Sequence, residues 1–72
     1  MNKIKNDLIS EGYSFVSADD LIQADGRIFV RVSVKFQKED IILASQSFEE
    51  LTTQSWREAR DVAKESAILN LA

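Results

Sequence analysis

Residues 27–37 alternate between apolar positions and mostly polar ones. The even positions are all apolar, namely Ile28, Val30, Val32, Val34 and Phe36. The odd positions are Arg27, Phe29, Arg31, Ser33, Lys35 and Gln37. Because successive side chains of a β-strand point to opposite faces of a sheet, the pattern predicts a strand with a core face and a cationic face. In a chain of net charge -3, this local reversal of sign makes binding one explanation for the cationic face.

Length and composition restrict the functions that are open to the chain. Its 72 residues are enough for a single domain, 1–72, with a thin core. The sequence contains neither Cys nor His. Zinc, iron and copper sites therefore lack their usual ligands, and a Ser nucleophile lacks its usual base. We expect no metal, no cofactor and no enzymatic activity.

No segment has the pattern of a membrane span or of an export signal. No apolar run approaches the roughly 18 residues that a helix needs to cross a bilayer. The first ten residues, MNKIKNDLIS, combine lysines with Asp7 and lack an apolar segment of the signal-peptide type. We expect a soluble, cytoplasmic protein without a membrane partner.

A short N-terminal helix is predicted over residues 2–11. Ile4, Leu8 and Ile9 share one face of that helix, and Gly12 stands just past its end, where glycine is favoured. Residues 13–17 are predicted to begin a first strand or to form an extended entry to it.

Residues 17–26 admit two interpretations. Ser17 and Asp20 resemble a capping box that would start one or two helical turns. Alternatively a strand runs from Phe15 to Ile22 and turns at Ala24-Asp25-Gly26-Arg27, where Asp-Gly is typical of β-hairpins. The strand and turn are favoured, because the strand over 27–37 needs a partner.

The second half of the chain is predicted to hold two strands and a helix. The second strand covers about 27–37 and the third about 41–47. Residues 48–54 are predicted to connect the third strand to the last helix and could include one helical turn. Ser55 and Glu58 form a capping box for the last helix, which runs to about residue 71. Its predicted buried side comprises Trp56, Ala59, Val62, Ala63, Ser66, Ala67 and Leu69.

These elements predict an α+β fold in the order helix, three antiparallel strands, helix (αβββα). Both helices are expected to cover the even face of the sheet, and the odd face is expected to remain in water.

The last helix resembles a motif of the double-stranded-RNA-binding domain, K-K-x-A-K followed by x-x-A-A and x-x-x-L. The matching residues are WREAR and then DVAKESAILNLA. Arg57 and Arg60 occupy the second and third basic positions, Ala59 occupies the alanine, and Trp56 replaces the first lysine. The resemblance covers about residues 26–72. It implies the αβββα fold and, through this helix, binding of double-stranded RNA.

The first candidate site is the set Arg27, Phe29, Arg31 and Lys35 on the odd face of the strand. Side chains two residues apart on a strand are about 6.6–7 Å apart, which suits the cations and stacked aromatic that hold single-stranded nucleic acid. Arg and aromatic residues are equally typical of protein interfaces. The alternative is a solvated face whose cations prevent edge pairing.

The second candidate site is the set Arg57, Arg60 and Lys64. These residues lie within about 60° of each other on the wheel of the last helix. They could contact phosphates in the manner of a double-stranded-RNA-binding domain. The alternative is ordinary pairing within the helix to Asp61 and Glu65.

Seven carboxylates fall in predicted loops or element ends: Asp19, Asp20, Asp25, Glu39, Asp40, Glu49 and Glu50. If they gather at one end of the domain, they could imitate a phosphate backbone. The alternative is that they serve as helix caps and solvated loop residues.

Together these patterns indicate a small, non-catalytic binding module. We expect it to dock on a protein as an inhibitor or adaptor, and its size suggests a phage-borne inhibitor of a nucleic-acid-handling enzyme. The alternative is direct binding of double-stranded RNA or single-stranded nucleic acid. Pairing of an exposed strand between two copies would give a homodimer.

Overall fold

The computed structural model describes residues 3–71, which form two helices and three strands. The elements are α1 (Lys3–Ser10), β1 (Ser14–Ala24), β2 (Arg27–Lys38), β3 (Ile41–Glu50) and α2 (Trp56–Leu69). The strands form one antiparallel sheet in the order β1-β2-β3. The predicted α+β class and the αβββα order are confirmed.

The ambiguous stretch 17–26 is a strand followed by a tight turn. β1 pairs with β2 without interruption as far as Ala24 opposite Arg27. Only Asp25 and Gly26 form the loop, and both have positive φ, 54° and 74°. These angles fit the type I′ turn, whose twist matches that of the flanking strands. The helical interpretation of this stretch is wrong.

One face of the sheet carries the core. Its fully buried strand residues are Val30, Val32, Val34 and Phe36. α2 packs on β2 and β3 through Ala59, Ala63 and Ala67, which are also fully buried and whose small side chains let the helix approach the sheet closely. Ile28, predicted on the core face, is 42% exposed, because it lies beside the β1–β2 turn at the end of the sheet.

α1 covers one end of the core. Ile4 and Leu8 pack against the core residues, whereas Ile9, predicted on the same face, is 46% exposed. Ile68 of α2 is buried although it lies about 140° around the helix from Ala63. α1 contacts α2 and packs Ile4 and Leu8 against the core cluster to which Ile68 belongs.

α2 begins with the predicted capping box. The Ser55 hydroxyl accepts a hydrogen bond from the Glu58 N–H at 3.2 Å, and the Glu58 carboxylate accepts one from the Ser55 N–H. Val62 and Leu69, which the sequence pattern predicts on the buried side of α2, are 47% and 56% exposed. They lie on the flank of α2 that is opposite to Ile68, where the described chain provides no cover.

The connection predicted over 48–54 is partly strand. β3 extends to Glu50, because its pairing with β2 continues to Phe29 opposite Glu50. Residues 51–55 then lead into α2, and the Leu51 N–H donates to the Ile28 carbonyl at 2.8 Å. The optional helical turn in this segment is absent from the described structure.

The described domain is elongated. Its radius of gyration is 13.1 Å, against about 11 Å for a compact domain of this length. Its principal dimensions are 41 × 23 × 16 Å. Long strands and a single layer of helices account for this shape, and within residues 3–71 no element covers the second face of the sheet.

Candidate functional site

The face of the sheet opposite the helices, hereafter the outer face, is built from alternate residues of all three strands. Cross-strand partners share a face, so the strand register fixes its members. They are Ser14, Val16, Ala18, Asp20, Ile22 and Ala24 of β1, Arg27, Phe29, Arg31, Ser33, Lys35 and Gln37 of β2, and Ile42, Ala44, Gln46, Phe48 and Glu50 of β3. The first predicted site therefore lies wholly on the outer face.

Two of the three predicted cations on the outer face are paired with carboxylates. Arg31 donates to both carboxylate oxygens of Asp20, at 3.0 Å from Nε and 2.6 Å from Nη2. This hydrogen bond and the Asp20 charge raise the pKa of Arg31 above its ordinary value. Arg27 lies 3.8 Å from Glu50. Lys35 forms no ion pair within residues 3–71. The face is therefore nearly neutral rather than cationic.

The neighbouring strands add apolar side chains that the alternation over 27–37 does not reveal. Val16 is 57% exposed, Ile42 is 54% exposed and Phe48 is 46% exposed. Phe29 is half-buried, with Ile22 directly opposite it on β1. The outer face thus presents apolar groups on every strand. For β1, the Asp25-Gly26 turn is the sequence signal that could have identified these side chains. A two-residue turn fixes the register of the hairpin and so places each β1 residue opposite a particular β2 residue.

Two shallow, open depressions lie side by side in the middle of the outer face and share Ser33 and Gln46. The outer-face residues that line them further are Lys35 and Ala44 for one, and Ala18, Asp20 and Arg31 for the other. The centre of the outer face is therefore only slightly concave, with room for a side chain of a partner.

The second predicted site, Arg57, Arg60 and Lys64, lies on α2 and so in the helical layer. The Arg60 side chain already interacts with neighbouring residues of α2. Its guanidinium lies 5.3 Å from the centroid of the Trp56 ring and forms an ion pair with Asp61 at 3.3 Å. Arg57 is exposed and Lys64 is half-buried. Since α2 covers the opposite face of the sheet, the structure does not bring the two predicted sites together.

The seven carboxylates do not form one cluster. Asp25 and Glu50 lie at the same end of the sheet, near the β1–β2 turn, whereas Glu39 and Asp40 form the turn at the other end. Asp19 lies within β1 rather than in a loop. The prediction that these residues occupy loops and element ends is therefore wrong for β1, and imitation of a phosphate backbone has no support from their positions.

Within residues 3–71 no group of three or more potential metal ligands is close enough to hold an ion. Among the same residues, no helix is long and apolar enough to cross a membrane. No family model matches the chain, and neither a curated protein nor a solved structure matches it.

Proposed function

We propose that the chain is a non-catalytic, cytoplasmic docking module that binds another protein through its outer face, as an inhibitor or an adaptor. The observation that carries this proposal is the combination of exposed apolar side chains with arginines that are already neutralised. Aromatic and Arg residues are enriched in protein interfaces. Phe29, Phe48 and Arg31 provide these residue types on one open surface.

The charge pairing favours a protein over nucleic acid as the partner of this surface. Affinity for phosphate backbones grows with the number of cations that the protein can offer. Arg31 would have to exchange its two hydrogen bonds to Asp20 for bonds to phosphate, and the nearby carboxylate would repel that phosphate. A protein partner can instead leave the Arg31–Asp20 pair intact and pack on the apolar groups beside it.

The size of the outer face is close to what a stable complex needs. Specific protein interfaces bury about 800 Å² on each partner. The longest dimension of the domain is 41 Å, and three strands about 4.8 Å apart give the outer face roughly 600 Å² in projection. The accessible area of its side chains exceeds that projection, so the outer face can supply most of a standard interface.

The test compares two substitutions in the same strand. Val16 and Leu21 are 57% and 54% exposed, but they lie on opposite faces of β1. The tagged chain, Val16→Asp and Leu21→Asp are used to capture proteins from a lysate, and the captured proteins are quantified. We expect Val16→Asp to lose a partner that the unmodified chain and Leu21→Asp both retain. A captured set that responds equally to both substitutions would refute docking through the outer face.

A second candidate function is binding of nucleic acid through α2. It is favoured by the αβββα order and by Arg57, which is exposed and forms no ion pair within residues 3–71. Fluorescence anisotropy of labelled double-stranded RNA, single-stranded DNA and duplex DNA, at low and at physiological salt, tests this function. Salt-dependent binding whose slope falls by about one in Arg57→Ala would establish it. No binding at low salt would exclude it and leave the docking function.

A further inference from the structure

β3 is an unprotected edge of the sheet. All of its residues, Ile41–Glu50, are in unbroken register with β2, so the strand contains no bulge. Its sequence contains no Pro, Lys or Arg. Bulges, Pro and cationic side chains are features by which proteins usually prevent an edge strand from pairing with another chain, and β3 has none of them. Within residues 3–71, β3 has β2 on one side and no strand on the other.

The other edge of the sheet, β1, differs in its charges. Asp19 and Asp20 occupy the middle of β1, one on each face. In an edge strand such charges disfavour pairing with a second chain. β3 is uncharged from Ile41 to Phe48, and its two carboxylates, Glu49 and Glu50, are at its end. The two edges are thus not equivalent, and β3 is the one suited to pairing.

Exposed apolar side chains flank the β3 edge on both layers of the domain. Ile41, Ile42 and Phe48 of β3 are 49%, 54% and 46% exposed. α1 lies near β1, where the Lys5 ammonium is 4.7 Å from the Phe15 ring. The flank of α2 that faces away from α1 therefore lies on the β3 side. That flank carries Val62 and Leu69, which are exposed as well.

We propose that two copies of this chain pair antiparallel through β3, about a two-fold axis at Ser45. The product is a continuous six-stranded sheet with both α2 helices on one side. The inference does not depend on the proposed docking function, because it concerns the edge of the sheet and a second copy of the same chain.

The sequence of β3 is complementary to itself in this register. In antiparallel pairing about Ser45, the positions of opposite residues are equally distant from 45. On the outer face, Ile42 then lies opposite Phe48 of the second copy, and Ala44 lies opposite Gln46 of the second copy. On the helical side, Leu43 faces Ser47 and Ile41 faces Glu49 of the second copy. Within Ile41–Glu49 no carboxylate faces another, and an apolar pair stands on each side of the axis. At each end of the paired edge, Glu50 falls opposite Asp40 of the second copy, in the turn before β3, so the favourable pairing is confined to Ile41–Glu49.

The extent of this pairing is that of a specific interface. The nine residues 41–49 give about 30 Å of paired edge, and antiparallel pairing adds on the order of nine backbone hydrogen bonds. Specific protein interfaces contain roughly 10 direct hydrogen bonds. Val62 and Leu69, which are exposed on the helical side, offer further apolar area beside the paired strands.

Sedimentation velocity over a concentration series tests the proposal. We expect the 8.2 kDa chain to sediment as a dimer. Ile42→Lys places a charge at the paired edge and should convert the dimer to a monomer. The matched control is Val16→Lys, because Val16 is equally exposed on the outer face but lies in the other edge strand. A monomer at every concentration, or a dimer that Val16→Lys dissociates and Ile42→Lys does not, would overturn the proposal.

Cross-linking tests the register independently and does not require a destabilising variant. The chain has no Cys, so Ser45→Cys introduces a unique thiol. Opposite Cα atoms in antiparallel strands are about 4.5–5.5 Å apart, within the range that a disulfide can span. We expect mild oxidation to link Ser45→Cys into a covalent dimer and to leave Ala18→Cys on β1 unlinked. Equal linking of both variants, or none of Ser45→Cys, would refute β3 pairing at Ser45. Neither outcome bears on docking to another protein.

Discussion

Replacing Phe36 with Ala tests which face of the sheet holds the core. Phe36 is fully buried, and its ring centroid lies 4.7 Å from that of Phe15. Truncation of a buried Phe to Ala typically costs about 3–5 kcal/mol, because transfer free energy is lost and a cavity remains. A domain of this length has a total stability of roughly 4–11 kcal/mol. The substitution should therefore remove about a quarter or more of the stability of the fold.

The control is the same substitution on the outer face. Phe48 is 46% exposed, so Phe48→Ala loses only about half of a full burial, or about 1 kcal/mol. Urea unfolding measures both changes, at a protein concentration where the unmodified chain is monomeric. With a slope of about 1 kcal/mol per molar urea for a small domain, Phe36→Ala should lower the midpoint by about 3–5 M. Phe48→Ala should lower it by about 1 M.

The difference between the two variants is the decisive quantity. Equal losses would mean that both faces of the sheet are covered, and the outer face would then not be open for docking. A loss below about 1.5 kcal/mol for Phe36→Ala would show that the packing between α2 and the sheet contributes less than its complete burial requires. Either result would refute the assignment of core and outer face.

Three further experiments test local features by the same urea assay. Ser55→Ala removes the N-cap of α2 and should cost about 1 kcal/mol, whereas no measurable loss would contradict the capping box. A double-mutant cycle of Asp20→Ala and Arg31→Ala should give a coupling below about 1 kcal/mol that decreases with added salt, because both side chains are well exposed. Gly26→Ala should cost about 1–2 kcal/mol, because φ is 74° at Gly26. The added methyl group would meet no other atom, so the whole cost comes from the backbone conformation. A neutral effect would mean that the turn changes its type.

Much of the fold could be predicted from local patterns. The alternation over 27–37 identifies β2 and its buried face, because alternate residues of a strand lie on opposite faces of the sheet and only one of the two sets here is wholly apolar. Asp25-Gly26 identifies the hairpin turn through the need for positive φ. Ser55 and Glu58 identify the start of α2. Each of these features depends on residues that are close in sequence, so no tertiary information is needed to interpret them.

The charge of the outer face could not be predicted from β2 alone. Arg31 is neutralised by Asp20, which is 11 residues away in sequence and adjacent only through the register of β1 and β2. Arg27 similarly lies near Glu50 of β3. The burial of Ile68 has the same kind of cause, since it depends on where α1 packs rather than on the periodicity of α2.

Docking through the outer face and dimerisation through β3 use adjoining surfaces. Only residues that belong to one of these surfaces can therefore distinguish the two proposals in a mutational test. Phe48 lies both on the outer face and at the β3 edge, so its substitution would affect docking and dimerisation alike. Val16 is on the outer face but in the opposite edge strand, and Ile41 is in β3 but on the helical side. Ile41→Glu places a carboxylate opposite Glu49 of the second copy and should therefore yield a monomer that still docks. Because pairing through β3 leaves both outer faces open and side by side, a partner with two equivalent epitopes should bind the dimer far more tightly than this monomer. A partner with one epitope should bind the two forms equally.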